Sequence, residues 1–306
     1  MLSLYPQTTP LTLSLRPLLH PLFQQLEDGI SEFTFANIYL FRRTHNYVVS
    51  QLADGHTIVI LGQDNHQPFF ILPFGLPGQE LLAALFHNHG TMKCVSSSLA
   101  AQLTERGYHP VADRDNFDYL YRRQDLAGLE GRAYHKKRNL IKAFVTSNTY
   151  AAKPLRQEYQ PDALRILDKW DAGNQQPGDV AAAREALEHM EELQLCGGIY
   201  YVADQPVAYV LGEELGSGHS YAIHFEKAVA GYKGLYQFIN QSFASVLPEQ
   251  YQTINREQDL GDAGLRQAKL SYKPFGFVEK YKVCVDIIPE SAGATLEPRR
   301  SFDAID

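Results

Sequence analysis

The sequence predicts an α+β protein built from two tandem units of one plan, each a mixed, mostly antiparallel sheet with flanking helices. Three observations carry this. Apolar runs occur in strand lengths and at helical spacing, in about equal measure. Their order in the first half recurs in the second. The chain's 306 residues suit two units of about 150 each.

In the first half, Leu15, Leu18, Leu19, Leu22, Phe23 and Leu26 recur at helical spacing, and Phe33 to Phe41 forms a second, aromatic-rich helix. Tyr47 to Leu52, Thr57 to Leu61 and Phe69 to Leu72 are strands, broken by Asp54-Gly55 and Asp64-Asn65. Pro77 and Gly78 precede a helix to about His87. A short strand spans Lys93 to Ser96, a helix Ser98 to Arg106, and a strand Phe117 to Arg122.

The second half follows the same order. Helices are expected over Asp162 to Trp170 and Val180 to Leu193. Gly198 to Val202, Val207 to Glu213 and His219 to Lys227 form a three-strand meander. A helix over Lys233 to Val246, a strand at Tyr251 to Ile254, a helix over Asp262 to Tyr272 and a strand over Val278 to Val285 complete it. Three antiparallel strands followed by α, β, α, β is the plan of the Gcn5-related N-acetyltransferase (GNAT) fold. The expected units are 1–140 and 141–290, the latter catalytic, followed by a tail at 291–306. In that plan two central strands splay apart. Here they are the strands ending at Lys227 and Ile254, so the polar run after Ile254 borders the gap.

Composition narrows the function classes. Apolar residues make up 44% and charged residues 21%, as in an ordinary folded protein. A net charge of −7 argues against a surface that grips nucleic acid throughout, but leaves room for a local basic groove. Cys94, Cys196 and Cys284 are far apart and odd in number, which gives neither a disulfide framework nor a metal-binding pair. His87-Asn88-His89 reads as a surface turn, and no metal is expected. The N-terminus lacks a secretory pattern and no apolar run approaches the ~20 residues of a membrane helix, so a cytoplasmic protein is expected.

The segments Phe117-Asp-Tyr-Leu-Tyr, Gly131-Arg-Ala-Tyr-His-Lys-Lys-Arg-Asn, Ile223-His-Phe-Glu-Lys-Ala, Gly231-Tyr-Lys-Gly-Leu-Tyr-Gln, Asn255-Arg-Glu-Gln-Asp-Leu-Gly and Leu265-Arg-Gln-Ala-Lys-Leu-Ser-Tyr-Lys-Pro resemble the phosphatidylglycerol lysyltransferase C-terminal domain family of bacterial proteins. The resemblance spans roughly residues 10 to 285. It implies tandem acetyltransferase-like domains and transfer of an acyl or aminoacyl group to an amine or hydroxyl. The implied donor is an acyl-coenzyme A or an aminoacyl-tRNA.

Acyl transfer needs a base for the acceptor, donors for the carbonyl oxygen and a proton for the leaving group. Glu226, Glu257 and Asp259 border the expected gap and are candidate bases. A salt bridge is the competing reading of Glu226, and helix capping that of Asp259. Tyr272, at the end of the last helix, is a candidate acid or a core tyrosine. Gly231, Tyr232, Lys233 and Gly234 precede a helix, where backbone N–H groups suit a pyrophosphate. Arg266, Lys269 and Lys273, at i, i+3 and i+7, stack three cations toward the same donor. Asn255 and Arg256, with the basic run His135, Lys136, Lys137 and Arg138, are the candidate substrate-binding residues. A non-catalytic binding module on the same scaffold is the alternative from another functional class.

Overall fold

The computed structural model describes residues 2–173 and 179–285; the expected tail at 291–306 lies outside them. Its first sheet is made of β1 (Thr9–Pro10), β2 (Val48–Gln51), β3 (Ile58–Asp64), β4 (Gln67–Ile71), β5 (Thr91–Val95), β6 (Val111–Ala112) and β14 (Tyr281–Cys284). The second is made of β7 (Asp118–Arg122), β8 (Tyr150–Pro154), β9 (Cys196–Val202), β10 (Gln205–Leu215), β11 (Ser220–Ala228), β12 (Thr253–Asn255) and β13 (Gly276–Val278). The helices are α1 (Arg16–Phe23), α2 (Phe35–Leu40), α3 (Gln79–His89), α4 (Ser97–Glu105), α5 (Arg123–Gly128), α6 (His135–Ser147), α7 (Gln160–Ala172), α8 (Val180–Glu188), α9 (Leu235–Val246) and α10 (Ala263–Leu270).

The two halves share the expected plan. β2, β3 and β4 are antiparallel and β4 pairs in parallel with β5 after the α3 crossover. Likewise β9, β10 and β11 are antiparallel, and β11 pairs in parallel with β12 after α9. The tandem GNAT-like fold is therefore present. Helix starts are set locally: Thr34, Ser96 and Asp262 each accept a backbone N–H three residues on, at α2, α4 and α10. Such a cap contributes about 1 kcal/mol.

The expected cut at 140/141 does not separate the sheets. It falls inside α6, and the halves exchange strands across it. β7, from the first half, lies in the second sheet between β12 and β13. β14, from the second half, lies in the first sheet between β5 and β6. The single strand expected over 278–285 is thus two strands, and Glu279-Lys280 carries the chain from one sheet to the other. At that crossing the Lys280 ammonium is buried, paired with Asp118 of β7 at 2.6 Å and with Glu32. Ser31 and Asn255 also donate to Asp118, so every oxygen of this buried carboxylate is used.

One apolar core lies between the sheets. It joins Leu19, Phe35, Ile38, Ile60 and Ile71 of the first half to Ile166, Leu187, Tyr209 and Phe225 of the second. A second core fills the outer face of the second sheet under α5, α6 and α9, and a third the outer face of the first sheet under α3 and α4.

Candidate active site

The gap expected in the second sheet is present, and the pairing register explains it. β12 pairs with β11 only at Ser220, Tyr221 and Ala222. Beyond Ala222, β11 runs on to Ala228, while the chain after Asn255 turns away as Arg256 to Gly261. The register of β10 on β11 steps from Leu211↔Phe225 to Gly212↔Ile223, which leaves His224 in a β-bulge. A bulge bends the strand and re-aims its side chains. Glu257 has φ 57°, a left-handed backbone uncommon outside glycine, held by its N–H bond to the Asn255 Oδ1 at 2.7 Å.

Two polar clusters face the gap, one from each side of the sheet. On the α9 side, Arg256 pairs with Glu226 at 3.2 Å, both side chains mostly buried. With the Asn240 amide oxygen turned toward Arg256, it accepts from both terminal guanidinium nitrogens at 2.9 and 3.3 Å. The Arg256 guanidinium also lies over the Tyr272 ring, 5.1 Å from its centre, and the Lys137 ammonium lies over the same ring at 3.4 Å. Burial pushes the Tyr272 phenol up to about 12, against the lowering effect of Arg256. Burial, then the Arg256 charge, lowers Lys137 to about 8.

On the inner side, the His224 imidazole lies between two carboxylates, with Nδ1 2.7 Å from Glu257 Oε1 and Nε2 3.0 Å from Glu213 Oε1. Burial alone would lower the His224 pKa. The two carboxylates outweigh it and raise it to about 10, so the ring is an imidazolium at neutral pH. Asn37 of α2 also donates to Glu257 Oε1, at 3.4 Å. All hydrogen bonds to this carboxylate among the described residues use Oε1, and none uses Oε2.

Several expected site residues have other duties. Asp259 is fully buried. Burial would raise its pKa, but Arg266 at 2.6 Å and the Tyr119 hydroxyl at 2.5 Å hold it far below the usual carboxylate range. It is a fixed anion, not a base, and the helix cap is Asp262 instead. The cationic stripe is not a free phosphate grip. Arg266 is taken by Asp259 and Asp115, and Lys269 donates to the carbonyls of Arg256, Glu257 and Gln258. Lys273 lies beyond the end of α10 and is exposed. Asn255 is buried and bonds to Gly29 and Asp118, so it holds the strand rather than a substrate. Arg138 donates to the carbonyls of Leu129 and Gly131.

In the loop before α9, Gly231 and Lys233 are exposed, whereas Gly234 is buried against α6. His135 and Lys136 are exposed at the start of α6, next to Lys137. His224, Glu213 and the approach of Lys137 to Tyr272 are features of the candidate site with no role assigned from the sequence. The one signal for the first two is a polar residue interrupting each apolar strand. Among the described residues there is no cluster of His, Cys, Asp and Glu able to hold a metal ion.

Two tandem, strand-exchanged GNAT-like sheets, one split by a gap with carboxylates, an arginine and a tyrosine, define a protein of the acyltransferase-like class. More specifically, the chain belongs to the phosphatidylglycerol lysyltransferase C-terminal family, which matches residues 23–284. It is 31% identical to a conserved protein of unknown function from Bacteroides thetaiotaomicron, with a TM-score of 0.82 over 91% of this chain and 99% of that one. The C-terminal domain of a putative lysylphosphatidylglycerol synthetase from Agrobacterium fabrum shares the fold at 11% identity, with a TM-score of 0.62 over 89% of this chain and 91% of that one. L-PGS from Bacillus licheniformis does so at 12% identity and a TM-score of 0.56, over 78% of this chain and 83% of that one. An uncharacterised protein of Mycoplasmoides gallisepticum is 24% identical over 57% of this chain, a match that spans 58% of that protein's length. No helix among the described residues is long and apolar enough to cross a membrane.

Proposed function

We propose that the protein transfers an acyl or aminoacyl group to an amine or hydroxyl acceptor in the gap between β11 and the segment after β12. The observation that carries this reading is the placement of one acid–base cluster on each side of that gap. The acceptor then approaches from the inner side, where Glu257 Oε2 takes its proton as the new bond forms to the donor's carbonyl carbon. Arg256 holds the carbonyl oxygen as negative charge develops there. The bond from carbonyl carbon to the donor's leaving oxygen or sulfur breaks on the α9 side, where the Tyr272 hydroxyl supplies the proton. Proton removal and delivery from opposite faces avoids one group having to do both.

The donor is an activated ester or thioester, an aminoacyl-tRNA or an acyl-coenzyme A. The family's name, which speaks of lysyl transfer, supports the first. So do His135, Lys136 and Lys137 beside the α9-side mouth, where donor phosphates would meet cations. Gly231, Tyr232 and Lys233 would meet the phosphates of either donor.

The test is incorporation of label from charged tRNA or acyl-coenzyme A into small amine and hydroxyl acceptors. Glu257→Gln is expected to lower turnover by about 100-fold or more, beyond what its lost charge beside the His224 imidazolium costs in stability. Tyr272→Phe is expected to act the same way. Losses of activity that merely track losses of stability would overturn the assignment.

A further inference from the structure

His224 has two carboxylate partners, and only one of them borders the gap. Glu257 follows β12, whereas Glu213 is on β10 and meets the opposite nitrogen of the ring. The His224 and Glu213 side chains are 1% and 5% exposed. Glu213 therefore acts on the gap only through the ring.

Two features make Glu213 more than a counter-ion. The first is charge. One carboxylate would neutralise the His224 imidazolium, yet two flank it, so the three groups together carry a net negative charge. An extra buried anion is costly unless something offsets it. Among the described residues, the hydrogen bond from His224 Nε2 is the only one that Glu213 receives. The second is a cavity of about 590 Å³ where β9 begins and β10 ends. Glu213 lines it together with the exposed Lys153, Glu214 and Val246. A space of that size with polar groups in its wall admits water, which hydrates the carboxylate from behind. Arg16 and His20 of α1, Cys196 of β9 and Tyr221 of β11 also lie within reach of the Glu213 charge, and Arg16 donates to Gln194 at 2.7 Å. Around Glu257, Asn37 of α2 is neutral and the Lys269 ammonium of α10 donates to three backbone carbonyls.

We propose that Glu213 is a positioning residue for the transfer in the gap: through the His224 ring it fixes Glu257 and shares the ring's positive charge, which keeps Glu257 basic enough to take the acceptor's proton. This rests on the reading of the gap given above. Glu257 with an imidazolium of its own would be a poor base, because taking a proton would leave that cation buried without a counter-charge. With Glu213 in place, the same proton brings the three groups from one negative charge to none, and the ring keeps a partner throughout.

The pH dependence of kcat tests this on the full chain, with acetyl-coenzyme A or lysyl-tRNA as donor and ethanolamine, which offers both an amine and a hydroxyl, as acceptor. Glu213→Gln removes the charge but keeps an amide oxygen to accept from Nε2. It is expected to move the acid limb down by about one pH unit and to lower kcat about tenfold, with KM nearly unchanged. His224→Gln removes the cation and leaves two carboxylates facing each other, so it should move the acid limb up by about one unit. Opposite shifts from adjacent substitutions cannot come from lost stability, which the thermal midpoints of both variants report separately. Should Glu213→Gln fail to fold, the direction of the His224→Gln shift decides alone. An acid limb unmoved by Glu213→Gln, or moved the same way by both, would overturn this inference and leave the gap reading standing. Turnover that survives Glu257→Gln, or none with either donor, would overturn both.

Discussion

His224 shows how much of the candidate site depends on one bulge. In a regular strand its ring would point to one face with its alternate neighbours; the extra residue turns it between Glu213 and Glu257. The consequence is a pH dependence of known sign. The folded pKa of about 10 lies above the ordinary 6.5, so the ring's contribution to stability is complete below pH 6.5 and lost as pH rises through about 10. Denaturant unfolding of the wild type across that window is expected to show falling stability that His224→Gln largely abolishes. A His224 signal, assigned by its loss in His224→Gln, that titrates near pH 6.5 by NMR would contradict it. The residues of the site were partly legible in the sequence: Glu226, Arg256, Glu257 and Tyr272 do gather at one gap. His224 and Glu213 were not, because strand composition says nothing of where an extra residue interrupts the register. Asp259 misled for a related reason. Its place in a polar run resembled a site, but its pairing with Arg266 depends on how α10 folds back.

At the scale of elements, the long periodic segments were legible and the short ones were not. α9 and the β9–β11 meander match their expected positions to within two residues at every end. β8 escaped because all five of its residues are exposed, which removes the alternation that marks a strand. α6 was hidden in the basic stretch that spans the expected cut at 140/141. It matters because it brings Lys137 to Tyr272 and packs against the start of α9. Gly234 shows how closely. Its φ is 86°, and a Cβ there would come within 2.1 Å of the Leu140 carbonyl oxygen, a backbone atom that cannot swing aside. Gly234→Ala is therefore expected to cost at least about 2 kcal/mol by denaturant unfolding. Gly231→Ala shares the positive φ but has open space around it, and should cost about 1 kcal/mol. Equal effects would mean that the α6–α9 contact is not tight.

At the scale of the molecule, the tandem plan followed from element order, but the exchange of strands did not. Order along the chain is unchanged whether the strand at 118–122 closes its own sheet or its neighbour's. The exchange makes each sheet depend on the other half. Residues 141–306 alone would lack β7, leaving β12, only three residues long, as an exposed edge and β13 without its partner. They would also lose both ion pairs of Lys280, to Asp118 and to Glu32. Residues 1–140 alone would lack β14, whose neighbours are β5 and β6. They would also expose their share of the core between the sheets, including Phe35, Ile38 and Ile60. Neither fragment is thus expected to fold by itself, although each carries most of a GNAT-like plan. Circular dichroism and denaturant unfolding of the two fragments check this. A cooperative transition from either one alone would show that the exchanged strands decorate two independent domains instead of joining them.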